Sequence, residues 1–383
     1  MRRRIAGIMI SGLLGLLLFP SCTTQRITPA QPPQYTEEIN RLQAQLQQQP
    51  DDVNALRELG VLYHKTREHR KAIAVLKKVL SLRPADLRSA CYLGLSYEFS
   101  REFLLAKSSY ESALSDSLQN AYHRWLRGRV NLLHRRQLRN ELVLMLKQNS
   151  RYPSGVPAGS PRQKVVVLPV TYLGNDNKLA VLGKGFTEML IADLSRIEAL
   201  KVVERMEVEM LMEEVQRRES LRQVQNTTSG IGRLLEADIM IRCGFNVLDG
   251  QIIWDVALWD LSNGEFPGTS TIAGDLNEML HLQKAITFDL VDALQIELGP
   301  AVRKLIEMEP TADFQAFLAY SAGLAKEDSG AYEEALIYLQ KALELDPSFS
   351  ACAAKIDENT ALTLALKDPD KAAMGGGFAG RAR

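Results

Sequence analysis

Apolar residues recur every three to four positions over residues 35–148, shift to short strand-like runs between 163 and 299, and return to helical spacing over 311–367. In the middle stretch, residues 164–171 (KVVVLPVT) form a β-branched run that reads as a buried strand. Residues 183–197 place Phe186, Met189, Leu190, Asp193 and Leu194 at helical spacing, which predicts an amphipathic helix. Residues 201–204 predict a second short strand and 206–222 a charged helix. A loop with Asn226-Thr227-Thr228 leads to a short helix over 230–235. Residues 238–247 then alternate, with Ile239, Ile241, Cys243, Phe245 and Val247 on one face. Asp249-Gly250 is a two-residue hairpin turn into 251–261, and Asn263-Gly264 a second one into 265–273. A long helix over 276–298 closes the unit. The order β-α-β-α-(α)-β-β-β-α is not that of a doubly wound nucleotide fold.

Outside that stretch a period of 34 dominates: Gly60, Gly94 and Gly128 repeat at that spacing, as do Ala72 and Ala106, and Pro50 and Pro84. The first full unit reads Leu56-x-x-Leu59-Gly60-x-x-Tyr63, then Ala72-x-x-x-Leu76, then Pro84. The second reads Ala90-x-x-Leu93-Gly94-x-x-Tyr97, then Ala106-x-x-x-Tyr110, with Leu118 in the proline's place. This resembles the tetratricopeptide repeat, a helix-turn-helix unit that stacks into a solenoid. Small residues let the two helices approach while Leu and Tyr fill the space between them. A half-unit over 36–50 is expected to cap one end. A degenerate third unit over 120–148 keeps Gly128 but has Arg124, Arg127 and Asn131 at the matching positions, and is expected to be a capping helix pair. A further unit, Ala319-x-x-Ala322-Gly323-x-x-Lys326, Ala335-x-x-x-Leu339 and Pro347, stands near the C-terminus, with a helix over 350–367 to cap it. One repeat rarely stands alone, so residues 311–367 are expected to dock on the central domain or on a copy in a neighbouring subunit. Residues 368–383, with Gly375-Gly376-Gly377 and Arg381, read as a disordered tail.

Arg2, Arg3 and Arg4 precede an uncharged stretch from 5 to 19, a positive n-region and an apolar h-region too short to span a bilayer comfortably. The end at Phe19-Pro20-Ser21-Cys22 resembles a bacterial lipoprotein signal, with Phe19-Pro20 departing from its usual pattern. That resemblance implies removal of residues 1–21 and lipidation of Cys22. With Thr23 rather than an aspartate next, it implies the outer membrane. Residues 22–34, with Pro29, Pro32 and Pro33, read as a tether, and the Pro/Gly/Ser-rich 149–162 as a linker between the 35–148 solenoid and the 163–299 domain.

Four pieces of the central domain stand in a recognisable order: Val165-Val166-Val167-Leu168-Pro169, Gly185-x-x-Glu188-Met189-Leu190-x-x-Asp193-Leu194, Val203-Glu204-Arg205, and Leu234-Leu235-x-Ala237-Asp238. Together they resemble the CsgG/HfaB (TolB N-terminal-like, FlgO/LpoB-like) group of bacterial envelope proteins. The resemblance implies an α/β domain with a mixed sheet, assembly of copies into rings or dimers, and a role in envelope assembly. The curli channel of that group builds its pore from two added membrane hairpins. Here Val247 passes to Gln251 through a minimal turn, so a pore by that route is not expected.

Composition sets limits on the chemistry. The chain's 46 Lys and Arg balance 46 Asp and Glu, which argues against a dedicated polyanion binder; nucleic acid is not an expected partner. The cysteines show no C-x-x-C spacing, which excludes a zinc ribbon and a redox dithiol; Cys91, Cys243 and Cys352 read as core residues. His64, His69, His123, His134 and His281 lie in helices without H-E-x-x-H and read as structural surface residues. Gly183-Lys184-Gly185 lacks the Lys-Ser/Thr pair of a P-loop, so Gly185 reads as helix packing. No G-x-S-x-G occurs, and no catalytic residue, metal or cofactor is assigned. One local excess stands out: Arg124, Arg127, Arg129, Arg135, Arg136 and Arg139 share residues 123–139 with no acid. They form either a basic patch for lipid phosphate, peptidoglycan or an acidic partner, or a solvated capping helix. The acidic residues of 204–219 can offset them by pairing between domains or subunits. In the tetratricopeptide geometry the first helix of each unit lines a concave groove, which makes Asn54, Arg57, Val61, Lys65, Arg88 and Tyr92 the expected partner contacts.

The expected whole is an α+β chain: a repeat solenoid, a CsgG-like domain and a C-terminal repeat unit. Its expected role is that of a periplasm-facing outer-membrane lipoprotein, a non-catalytic scaffold or assembly factor that binds protein partners through its repeats. The alternatives are a curli-type secretion channel component and an activator of a cell-wall synthase.

Overall fold

The computed structural model describes residues 33–114, 120–148, 163–217, 230–261 and 268–374. The signal, Cys22, most of the tether, the 149–162 linker, the Asn226-Thr227-Thr228 loop, the Asn263-Gly264 turn and residues 375–383 lie outside the described residues. The N-terminal stretch runs α1 (Pro33–Gln48), α2 (Val53–Lys65), α3 (His69–Leu82), α4 (Leu87–Phe99), α5 (Phe103–Ala113) and α6 (Ala121–Gln148). The central stretch follows as β1 (Gln163–Val167), β2 (Thr171–Tyr172), α7 (Asn177–Ala180), α8 (Leu182–Leu194), β3 (Leu200–Val202), α9 (Arg205–Arg217), α10 (Gly230–Leu234), β4 (Ile239–Leu248), β5 (Gln251–Asp260) and β6 (Gly268–Asp275). Then come α11 (Met279–Ala293), α12 (Pro300–Glu307), α13 (Phe314–Asp328), α14 (Tyr332–Leu345), α15 (Ser350–Ala365) and α16 (Pro369–Met374).

The solenoid follows from its caps and turns. Asp52 and Asp86 cap α2 and α4 by accepting from the backbone N–H groups of Asn54 and Ala55, and of Ser89. The turn within each helix pair requires a left-handed residue. Arg67 and Arg101 take that place at φ 64°, and Gly330 takes the equivalent one in the C-terminal unit at φ 78°. α1 starts at Pro33, inside the expected tether, because proline is well suited to a first helical turn.

The third unit differs from the expected helix pair. Residues 121–148 are one 28-residue helix. Gly128 still performs the repeat's close approach, since a Cβ there would lie 2.0 Å from the carbonyl oxygen of Ala361. The second helix of this unit is therefore α15, supplied from the far end of the chain and running antiparallel to α6. Trp125 donates to the Lys367 carbonyl, while Asn131 reaches Glu358.

The central sheet is mixed, in the order β3-β1-β4-β5-β6, with β2 also beside β4. β1 runs parallel to β3 and β4, while β4, β5 and β6 are antiparallel. Pro169 has no N–H to give, and the expected 164–171 strand stops at Val167. One sheet face, carrying Val165, Val167, Ile241, Cys243, Phe245 and Trp254, shares a core with α8, α11, α13 and α14. The other face, through Val166, packs on α9, α10 and the C-terminal half of α6 at Leu142 and Leu146. Val247 continues the predicted alternation but is only partly buried. The expected 276–298 helix is interrupted: α11 ends at Ala293, Gln295 turns left-handed at φ 56°, and α12 begins separately at Pro300.

The C-terminal unit docks on the central domain of its own chain. Gly185 of α8 lies so close to α13 that a Cβ would be 2.7 Å from the Phe317 ring, and Phe186 meets Phe317 at 5.1 Å between centroids. Residues 368–374 are not a tail: α16 returns to the solenoid.

Candidate functional site

Helices α2, α4 and α6 line the concave side of the solenoid, and α16 lies against it. Asp370 is held from three sides. Arg88 donates Nε to one carboxylate oxygen at 2.7 Å and Nη2 to the other at 2.9 Å. The Tyr122 hydroxyl donates at 3.0 Å and Lys65 Nζ at 3.5 Å. The Tyr92 hydroxyl lies 3.1 Å from both oxygens of Asp368. Asp368 also caps α16, accepting from the backbone N–H groups of Asp370 and Lys371 at 3.0 and 3.3 Å. Glu58 accepts from the remaining Nη1 of Arg88 and so orients its fork.

The electrostatics follow from this geometry. Burial works against the Asp370 charge, but the hydrogen bonds and charge of Arg88 hold its carboxyl down at about 2. Burial, and then the Asp370 and Asp368 charges, raise Tyr92; burial and Asp370 push Tyr122 up to about 12. Both phenols therefore stay neutral donors over the physiological range.

Of the six expected groove contacts, Lys65, Arg88 and Tyr92 converge on this acidic segment. Arg57 is instead paired with Asp86 at 2.6 Å, Val61 is buried in the solenoid core, and Asn54 is exposed. Sequence reasoning missed Glu58, Tyr122, Trp125 and the segment itself. Asp368-Pro369 does carry the signal of a helix start, an acidic cap before a first-turn proline. His123 is buried and His64 half-buried. His64 sits among His69, Tyr92 and Phe99, bonds Ser96 through Nδ1 at 2.9 Å, and is lowered to about 4 by burial and the neighbouring His69.

The basic patch also reads differently in three dimensions. Arg127 pairs with Asp357 at 2.8 Å, and Arg129 grips Glu98 with two bonds of 2.7 and 2.8 Å. Arg135 bonds Glu327 and Glu358, Arg139 reaches Glu213 at 3.6 Å, and Arg136 stacks over Phe103 at 3.9 Å. Arg124 is half-buried on the first turn of α6. Five of these arginines thus fasten α6 to α4, α5, α9, α13 and α15.

A second charged cluster lies where α6, α8, α9, α13 and α15 meet, around a cavity of about 270 Å³. The buried Arg205 donates to Glu188 at 2.8 Å and to Asp328 at 2.7 Å, and Lys184 joins Glu209 to Asp328. Lys355 lies within 3.8 Å of Glu188 and 3.0 Å of Glu358. Burial disfavours the charge of Asp328, yet Arg205 and Lys184 bring its carboxyl below the usual range. Lys184 is therefore engaged by carboxylates. A larger cavity, about 860 Å³, has the buried Lys284–Asp193 pair (2.7 Å) in its wall. Among the described residues no three His, Cys, Asp or Glu side chains gather as a metal site, and no helix is long and apolar enough to cross a membrane.

Residues 168–252 match the family of the curli production assembly/transport component CsgG, from the end of β1 into β5. Residues 55–86 and 318–349 match the tetratricopeptide repeat, the α2–α3 and α13–α14 pairs. The chain carries a CsgG-like domain and tetratricopeptide repeats. Among solved structures, the LpoB C-terminal domain from Salmonella enterica is similar at 15% identity and a TM-score of 0.23, over 36% of this chain and 95% of that one. No curated protein matches.

Proposed function

We propose that the protein is a periplasm-facing lipoprotein of the outer membrane, a non-catalytic scaffold or assembly factor that holds protein partners in its tetratricopeptide groove. The observation that carries this reading is the convergence of Lys65, Arg88, Tyr92 and Tyr122 on a peptide segment. Repeats of this type offer an extended concave surface suited to such binding. The CsgG family match supports an envelope role, and the sequence at Cys22 supports a lipid anchor. Assembly of copies through the central domain belongs to the same proposal and is read by sedimentation. A channel is the weaker reading, because β4 and β5 pair through Leu248↔Gln251 around a two-residue turn, leaving no inserted hairpin between them.

A photoreactive residue in place of Asn54, exposed in the first turn of α2, tests the scaffold. Cross-linking in intact envelopes is expected to capture defined protein partners, and capture of none would end this reading. Cys22→Ala is expected to release the chain from the membrane fraction; persistent sedimentation with membranes would remove the anchor.

A further inference from the structure

We propose that the groove binds an acidic segment of a partner protein that presents two carboxylates two residues apart, and that Asp368-Pro369-Asp370 is a resident occupant which that partner displaces. This rests on the partner-binding reading above and adds the ligand class and its gate.

The receptor side is specific for carboxylates. Arg88 meets Asp370 with two parallel donors, a geometry that a planar carboxylate satisfies and an amide does not. Tyr92 is buried and Tyr122 half-buried, so with the segment gone their hydroxyls would need another acceptor. Glu58 accepts from the Arg88 nitrogen that Asp370 does not use, so this contact does not depend on the segment's carboxylate. The second carboxylate does two jobs, since Asp368 accepts from Tyr92 and caps the short helix that carries Asp370. The required pattern is therefore an acidic cap followed, two positions on, by an acidic residue inside a helical turn.

The occupant is built to leave. α16 has six residues, too few to be helical without its dock. Its buried side chains are Pro369 and Ala372, while Met374 at its end is 80% exposed and Leu366 before it 62% exposed. Ion pairs and hydrogen bonds carry most of the docking; salt weakens the part-buried ion pairs in part, and any segment of like charge can take them over. A tethered segment acts at an effective concentration on the order of millimolar. A competitor must add contacts beyond those the resident segment makes.

The test is fluorescence polarisation with the full chain and a labelled peptide of residues 364–374. The Asp368→Asn/Asp370→Asn variant empties the groove and is expected to bind the peptide roughly tenfold or more tightly than the unaltered chain, the tether no longer competing. Adding Arg88→Ala to that variant is expected to lose roughly tenfold or more, and a peptide with asparagine at both positions should not bind. Equal binding by variant and unaltered chain, or by the asparagine peptide, would overturn the proposal. So would a stable dimer of the unaltered chain in which the segment is exchanged, because the occupant would then be a second copy. If the double variant misfolds by circular dichroism, excess peptide on the unaltered chain must accelerate amide exchange over 370–374; unchanged exchange refutes displacement. The titration uses purified components and can fail on its own, whereas the scaffold reading falls only if the Asn54 cross-link captures no partner.

Discussion

Residues 314–365 and residues 368–374 both return to earlier parts of the chain, but different forces hold them. Helices α13 and α14 share a core with the central sheet, where Phe317, Tyr320, Leu324 and Leu339 are buried beside Phe186 and Trp254. α15 lies backbone-close on α6 at Gly128. Separating either would expose several large apolar side chains at about 1.5–3 kcal/mol each. The α16 segment has little apolar area and relies on two carboxylates. The first attachment makes the solenoid, central domain and C-terminal unit one body. The second is an occupant of a site on that body.

Four predictions break or sharpen this contrast. The largest concerns the permanent junction. Arg205→Met leaves Glu188, Glu209 and Asp328 short of a buried partner and should cost about 3–5 kcal/mol, read as a shift in urea midpoint. A cost near zero would mean the junction does not depend on its charges. Next is pH. His64 is neutral when folded, with a pKa near 4 against 6.5 when free, so the unfolded chain takes up the proton first as pH falls. Stability is then complete above pH 6.5 and declines toward pH 4, by at most about 3 kcal/mol, and His64→Gln should flatten that decline. Third, Gly128→Ala should cost about 2 kcal/mol by forcing α15 away, despite the better helix propensity of alanine. An unchanged melting temperature would deny that α15 completes the third repeat. Smallest is Tyr92→Phe, expected to cost about 1 kcal/mol and to loosen only α16. Asp370 belongs with it: its depressed pKa makes the docking complete above about pH 4 and lost as pH falls toward 2.

The repeat hairpins and the strand alternation were legible because both are local patterns. Gly60 and Gly94 meet Leu76 and Tyr110 sixteen residues later, inside one unit. Gly128 obeys the same period, yet its partner Ala361 lies in another part of the chain, and periodicity carries no word of that. The arginines of α6 show the same limit. Their spacing revealed a basic helix, but Glu327 and Glu358, which neutralise Arg135, are brought there only by tertiary packing. Half of the expected groove contacts meet the acidic segment because the repeat geometry fixes which helix faces inward. Arg57 and Val61 do not, since Asp86 claims one and the core the other. The segment's docking was hidden because a polar interface leaves no hydrophobic stripe to read.

Hydrogen exchange on the unaltered chain, compared at low and high salt, tests the central claim most directly. The account predicts that amides of residues 370–374 exchange quickly, and faster as salt rises from about 50 to about 500 mM, while α13, α14 and α15 stay protected throughout. Protection of residues 370–374 equal to that of α15 and indifferent to salt would contradict it, and would make α16 a fixed part of the body.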